Sequence, residues 1–321
     1  MAKQSADQVG DWNGQSGERW VANQARLDAL VAVFGQAAIE AAAPAAGERV
    51  LDIGCGAGAS SLALAARVGA EGQVLGVDIS EPLIDRARAL APKDSPALFQ
   101  VADASSAALP EGTFDILFSR FGVMFFDDPT AAFAHMRRAL WPGGRVAFVC
   151  WRGAAENDWM RLPVGALKGI LPPSALPDPE APGPFSFGDR ERVARILTAA
   201  GFTDIAISPF DAAVPFGEGE TRDAAIDDAV KMTVEVGPLS RVLADQPDDI
   251  RARASAAVRT AFASLPGERS VMINGAAWVV MARNPASWQG LRGKTRSVER
   301  SVCGRAQCSQ ASSEHHPYRL R

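Results

Sequence analysis

One segment limits the possible folds of this 321-residue chain more than any other: Val50-Leu-Asp-Ile-Gly-Cys-Gly-Ala-Gly58, an apolar run passing directly into a glycine-rich turn and then into helix-forming residues near Ser60. A short apolar run bounded by glycines reads as a buried strand, and the sequence beyond it as the start of a helix. At such a junction a ligand can approach the backbone closely, because glycine carries no Cβ. The first N–H groups of the helix have no intrahelical partner and face the same space.

Short apolar runs then alternate with helical spacing. Strands are predicted over 49–53, 73–77, 97–101, 114–118 and 145–151, with helices over 59–68, 81–90 and 129–140 between them. That alternation is the pattern of a parallel sheet covered by helices on both faces. Trp141-Pro-Gly-Gly144 should end the third helix, since proline cannot continue the hydrogen-bond ladder and glycine accepts the turn. A proline-rich stretch, Leu171 to Pro184, leads to a predicted helix over 189–200 and a strand over 202–208, and Ala276 to Ala282 reads as the last strand. Two helical stretches between those strands, 220–244 and 247–264, are expected to form part of a lid. Ahead of the sheet, Trp20, Leu27, Leu30, Val31, Phe34 and Ala38 recur at helical spacing from Gly17 to Ala43 and predict one helix, stopped by Pro44.

The expected fold is thus α/β, a doubly wound, Rossmann-like, mostly parallel sheet with an N-terminal helix and a helical lid insertion. Three regions follow: an N-terminal cap (1–45), the main domain (46–285, with the insertion at 210–265) and a tail (286–321). The tail is rich in Arg, Ser and Gln and lacks periodicity, so it is expected to be disordered.

The glycine turn alone is ambiguous, because Gly54, Gly56 and Ala59 also satisfy the looser dinucleotide fingerprint. Charge separates the readings. Asp52 puts a carboxylate at the end of the first strand, and at about 4 Å and an effective dielectric near 20 it would repel a diphosphate by roughly 4 kcal/mol per charge. The ammonium of a methionine moiety would be attracted instead. Asp78 ends the second strand in Gly76-Val-Asp-Ile-Ser80, where a carboxylate can accept both hydroxyls of a ribose, a feature shared with NAD enzymes. Asp103, in Val101-Ala-Asp-Ala104, follows the third strand and is placed to accept from an adenine amino group, with Ile79 covering one adenine face. Each of these aspartates has a plainer reading as a helix cap or turn residue.

Taken together, Asp52, the glycine turn, Asp78 and Asp103 at successive strand ends resemble the class I S-adenosylmethionine (SAM)-dependent methyltransferases. Phe114-Asp-Ile-Leu-Phe-Ser-Arg120 is similar to that family's fourth strand, Arg138-Ala-Leu-Trp-Pro-Gly-Gly144 to its turn before the fifth, and Ala276 to Ala282 to its antiparallel last strand. Within the family the chain looks closest to the small-molecule branch that includes the ubiquinone and menaquinone biosynthesis methyltransferases. The resemblance covers roughly residues 12 to 285 and implies SAM as cofactor. It implies a binding set of Asp52, Gly54, Cys55, Gly56, Gly58, Asp78, Ile79, Ala102, Asp103, Ala104 and Ser119. The Asn/Asp-Pro-Pro-aromatic motif of amino-directed nucleic-acid methyltransferases is replaced by Ser119-Arg-Phe-Gly122, which points to a small-molecule acceptor.

No catalytic base stands out. Arg120 and His135 are the candidates, the first for pairing with an acidic group and the second as a reserve base on the helix over 129–140. Trp20 is expected to pack the N-terminal helix. Cys55 reads as a small residue facing the backbone, and four scattered cysteines form neither a disulfide framework nor a zinc site. With three histidines, two of them in the last residues, no metal site is expected. A net charge of −4 supplies no basic field for nucleic acid or anionic lipid. The polar start and the absence of a run near the roughly 20 apolar residues of a membrane span predict a cytoplasmic protein. A nicotinamide-dependent oxidoreductase and a non-catalytic SAM-binding protein remain the competing readings.

Overall fold

The computed structural model describes residues 10, 12–172, 178–236 and 239–286. The described residues up to Pro285 form one compact unit. The expectations for the tail lie outside the described residues. No helix among the described residues is long and apolar enough to cross a membrane.

Seven strands form one sheet in the order β3-β2-β1-β4-β5-β7-β6. The first half follows the predicted alternation closely: β1 (Arg49–Ile53), α3 (Ala59–Val68), β2 (Gln73–Asp78), α4 (Glu81–Leu90), β3 (Ala97–Val101) and β4 (Phe114–Arg120). These strands pair in parallel, β1 lying between β2 and β4. Val50 faces one apolar layer with Ile116 and Phe118, whereas Leu51 and Ile53 face the other with Leu117, Phe133 and Phe148. Strand alternation therefore puts Asp52 on the face of Val50, the face on which Leu64 and Val68 of α3 also pack.

Elsewhere the structure corrects the expected boundaries. The single N-terminal helix is two, α1 (Gln15–Ala22) and α2 (Gln24–Ala42), broken at Asn23. The third crossover helix, α5 (Pro129–Arg137), is shorter than predicted because Leu140 already pairs with Phe114. Strand β5 (Leu140–Trp151) thus contains Trp141-Pro-Gly-Gly144 as an irregularity, and regular pairing with β4 resumes at Arg145. A helix that was not anticipated, α6 (Asp158–Ala166), follows β5; Pro163 inside it hid its periodicity.

After α7 (Arg190–Ala199) come β6 (Thr203–Glu218), α8 (Arg222–Glu235), α9 (Leu239–Ala244), α10 (Asp248–Ala263) and β7 (Ser270–Arg283). The predicted helix over 220–244 is therefore two. Both late strands are much longer than predicted. Strand β6 runs through Pro209 and Pro215, which an edge strand tolerates because its outer N–H groups need no partner. Strand β7 is antiparallel to both neighbours and runs through Gly275, where a side chain would strike the Phe34 ring at 2.6 Å.

Candidate functional site

A cavity of about 1150 Å³ opens at the carboxyl ends of the parallel strands. It lies where the strand order reverses between β1 and β4, the position at which open α/β sheets take ligands. Its floor is the turn Gly54-Cys-Gly-Ala57. Gly54 and Cys55 donate their N–H groups to the Val77 carbonyl at 2.9 and 3.1 Å, which bends the chain over β2. Gly54 has φ of 63° and lies so close to Gly122 that a Cβ would meet its Cα at 2.8 Å. Both the conformation and the space therefore require glycine there. Gly58 does not line the cavity; a Cβ on it would strike the Phe99 ring at 2.8 Å, so it serves close packing behind the turn.

Asp52 lies behind the turn rather than at the cavity mouth, and it is fully buried. Its Oδ2 accepts from Ser60 Oγ at 2.8 Å and Ser61 Oγ at 2.6 Å, both in the first turn of α3. Its Oδ1 has no hydrogen-bond partner. Burial raises its pKa to about 6, although the two serine hydroxyls and the charge of Arg120 oppose the rise. A carboxylate thus stands at the positive end of α3, where a phosphate would otherwise be favoured.

Asp78 reaches the cavity wall from the end of β2. Its Oδ2 accepts from Gly56 N at 2.8 Å and its Oδ1 from Ser80 N at 2.9 Å, so the carboxylate braces the glycine turn against the start of α4. Burial raises its pKa, opposed by these backbone donors. Asp103 accepts at Oδ1 from the N–H and hydroxyl of Ser105, at 2.8 and 2.7 Å. Ile79, Ala102, Asp103 and Ala104, just beyond the ends of β2 and β3, line the same end of the cavity. An unforeseen clamp closes this end. Ser80 Oγ donates to the Trp12 carbonyl, Asn13 Nδ2 donates to the Ile79 carbonyl, and Glu81 N donates to Asn13 Oδ1.

The end of β4 distributes its roles differently from expectation. Ser119 is buried off the cavity; its hydroxyl donates to the Ile53 carbonyl at 2.7 Å and accepts from Gly122 N at 3.1 Å, tying β4 to β1. Arg120 is on the wall, paired with Asp28 of α2, and its stem lies against Gly35. His135 is not on the wall. Its Nε2 bonds the Ala107 carbonyl at 2.8 Å and its Nδ1 faces Arg138 Nη2 at 2.6 Å, so it fastens α5 to the loop after β3 and is no base for a ligand in this cavity. The thiols of Cys55 and Cys150 are buried, and burial holds both well above their usual pKa.

Sequence reasoning missed the aromatic wall. Phe121 has φ of 59°, a sparsely populated conformation for a bulky residue, and it stacks on Trp151 at 4.1 Å between ring centroids. Trp151 meets Trp159 at 5.6 Å, and Trp159 stacks on Phe185 at 5.2 Å. Trp20, expected to pack the N-terminal helix, is 38% exposed, lines the cavity and meets the Trp12 ring edge-on. These rings come from five separate segments and share no sequence spacing.

A glycine turn after the central strand of such a sheet, with carboxylates at successive strand ends, defines a Rossmann-like ligand-binding domain. Within that class, residues 51–148 match a family model described as a methyltransferase domain. Aklanonic acid methyltransferase DauC from Streptomyces sp. (strain C5) is 37% identical over 117 residues, 36% of this chain and 53% of that protein. Nocamycin O-methyltransferase from Saccharothrix syringae is 32% identical over 175 residues, 50% of this chain and 61% of that protein. The chain thus spans 53–61% of the length of these curated relatives. The solved YcgJ protein of Bacillus subtilis matches with a TM-score of 0.51 at 19% identity, covering 79% of this chain and 98% of that one, a likeness of fold.

Proposed function

We propose that the chain is a SAM-dependent methyltransferase that transfers a methyl group to a small-molecule acceptor and releases S-adenosylhomocysteine (SAH). Asp52 carries the reading. A buried carboxylate with one oxygen unpartnered, set at the start of α3, favours a cationic amino-acid head near the glycine turn and disfavours a diphosphate. The names of the relatives, both methyltransferases, support the same activity. In this reading Gly54, Cys55 and Gly56 line the methionine and ribose portions, Asp78 accepts from the ribose hydroxyls, and Ile79, Ala102, Asp103 and Ala104 surround the adenine. Asp52, Gly58 and Ser119 act one layer behind, shaping the turn.

When bound, SAM supplies a methyl group already activated by a sulfonium. The chain's own residues then need to align the acceptor and exclude water, and alignment alone can contribute roughly 7–11 kcal/mol. Arg120 is engaged by Asp28 and holds α2 over the cavity. The N-terminal helices, the segment over 155–185 and the insertion (210–265) enclose the acceptor, and the protein works in the cytoplasm on a substrate other than nucleic acid.

Calorimetric titration with SAH, SAM and NAD(H) tests the proposal. SAH and SAM are expected to bind, and NAD(H) is not. Binding of NAD(H) without SAH or SAM would overturn the assignment in favour of an oxidoreductase.

A further inference from the structure

An ion pair stands between the glycine turn and the aromatic wall. Arg120 closes β4, directly before Phe121, whose ring stacks on Trp151, and two residues before the Gly122 that touches Gly54. Arg120 Nη2 donates to Asp28 Oδ1 at 2.5 Å, and Asp28 Oδ2 accepts from Gln24 Nε2 at 2.5 Å. Of the residues that α2 contributes to the lining, Asp28 alone carries a charge; the others are Gln24, Leu27, Leu30, Val31 and Phe34.

The pair is enclosed without being sealed. Both side chains line the cavity and keep accessible surface, 13% for Arg120 and 20% for Asp28. One guanidinium nitrogen is used on Asp28, and neither Nε nor Nη1 is among the buried atoms left without a partner, so donors stay open to the cavity. Each Asp28 oxygen has taken one hydrogen bond and has a second lone pair to offer. The other charges on the lining, Arg19, Asp78, Asp103, Asp127, Asp128 and Asp178, come from other segments. Among these, Asp78, Asp103, Asp128 and Asp178 each accept from a backbone N–H two or three residues further on, which fixes them to their own turns.

Resting on the methyltransferase reading above, we propose that Asp28 and Arg120 bind the hydroxyl that is methylated, Asp28 as its proton acceptor and Arg120 as donor to its oxygen. The O–H bond breaks and the proton passes to an Asp28 oxygen. The electron pair left on the hydroxyl oxygen forms the bond to the methyl carbon, the carbon–sulfur bond breaks with its pair kept by sulfur, and Asp28 gives its proton to water as the ether leaves. Arg120 faces one negative group throughout, first the carboxylate and then the oxygen. A carboxylate is a modest base, so the acceptor is an acidic hydroxyl, a phenol or an enol, and not an alcohol. The rings that begin at Phe121 give a planar acceptor its surface.

The test uses the full chain with SAH bound and para-nitrophenol as probe, whose phenol and phenolate forms absorb at different wavelengths. The unaltered protein should bind it roughly tenfold more tightly than para-nitroanisole, which lacks the proton, and than para-nitrobenzyl alcohol, whose hydroxyl is not acidic. The two charges should move the titration of the bound probe in opposite directions. D28N leaves Arg120 facing the oxygen and should lower the probe's apparent pKa, whereas R120Q leaves Asp28 and should raise it, each by about 1–2 units. A purely structural ion pair would leave both titrations where the unaltered protein has them. Coincident titrations in all three proteins, or para-nitroanisole bound as tightly as para-nitrophenol, would overturn the hydroxyl site. Equally tight para-nitrobenzyl alcohol would overturn the acidic class of acceptor. SAH binding with no para-nitrophenol binding would overturn the site and spare the cofactor reading, whereas failure to bind SAH or SAM at all would strike the methyltransferase reading itself.

Discussion

Gly54 and Gly122 meet backbone to backbone: a Cβ on Gly122 would lie 2.9 Å from the Gly54 Cα and 2.6 Å from the Ile53 carbonyl oxygen. The turn that floors the cavity and the chain leaving β4 are thus held against each other with no room for a methyl group.

G122A isolates this contact. Gly122 has φ of −82°, which alanine adopts freely, so the cost is purely steric. Thermal unfolding should show a loss of about 1–3 kcal/mol, and SAH affinity should fall with it because Gly54 is displaced. An unchanged melting temperature would mean that the backbone yields without cost.

Asp52 makes both stability and binding depend on pH, in opposite directions. Its folded-state pKa of about 6 lies above its ordinary 3.8, so the folded state binds the extra proton between those values. The resulting stabilisation is fully present below about pH 4 and is lost as pH rises through about 6, amounting to about 3 kcal/mol. D52N should remove that component, seen as a flatter difference curve in denaturant titrations from pH 4 to 8. Binding of a cationic amino-acid head needs the ionised form, so SAH affinity should drop as pH falls from 8 to 5. Equal affinity at both pH values would separate Asp52 from the ligand.

Asp78 can be divided between its two tasks. D78A removes the brace on Gly56 and Ser80 as well as the acceptor for a ribose, and should weaken SAH by about 1.5–3 kcal/mol. D78N keeps one acceptor oxygen and should lose less. Calorimetry giving wild-type affinity for D78A would place the ribose elsewhere.

His135 serves as the contrast. H135A should leave SAH affinity within error and lower stability by about 1 kcal/mol, since its bonds to the Ala107 carbonyl and Arg138 are within the protein. A selective loss of SAH binding, with stability intact, would return it to the site.

Arg26 of α2 bonds Asp228 at 2.8 Å and the Phe216 carbonyl at 2.7 Å, while Glu218 N also donates to Asp228. R26A should cost about 1–2 kcal/mol and speed amide exchange over 222–235. Unaltered exchange there would show that apolar contacts alone hold α8 in place.

Much of the first half was legible because its signals are local. Apolar runs, glycines and turn residues act on immediate neighbours, so β1 to β4 and their crossover helices fell close to their predicted ranges. Late elements were read less well. Pro209, Gly275 and Pro163 carry local signals against regular structure, and each was overruled by its surroundings: an open sheet edge, a ring needing space, and a helix packed onto the sheet.

Sequence alone determined the kind of sheet, the glycine turn and the acids at the ends of β1, β2 and β3, because a strand end in a parallel sheet has one destination whatever surrounds it. Only the tertiary structure decided which of those acids faces the cavity and which lies behind it. It also decided that Ser119 and His135 spend their hydrogen bonds inside the protein. The aromatic wall was settled at the same level, since Phe121, Trp151, Trp159 and Phe185 come together through packing between distant segments, and no periodicity along the chain encodes such a meeting.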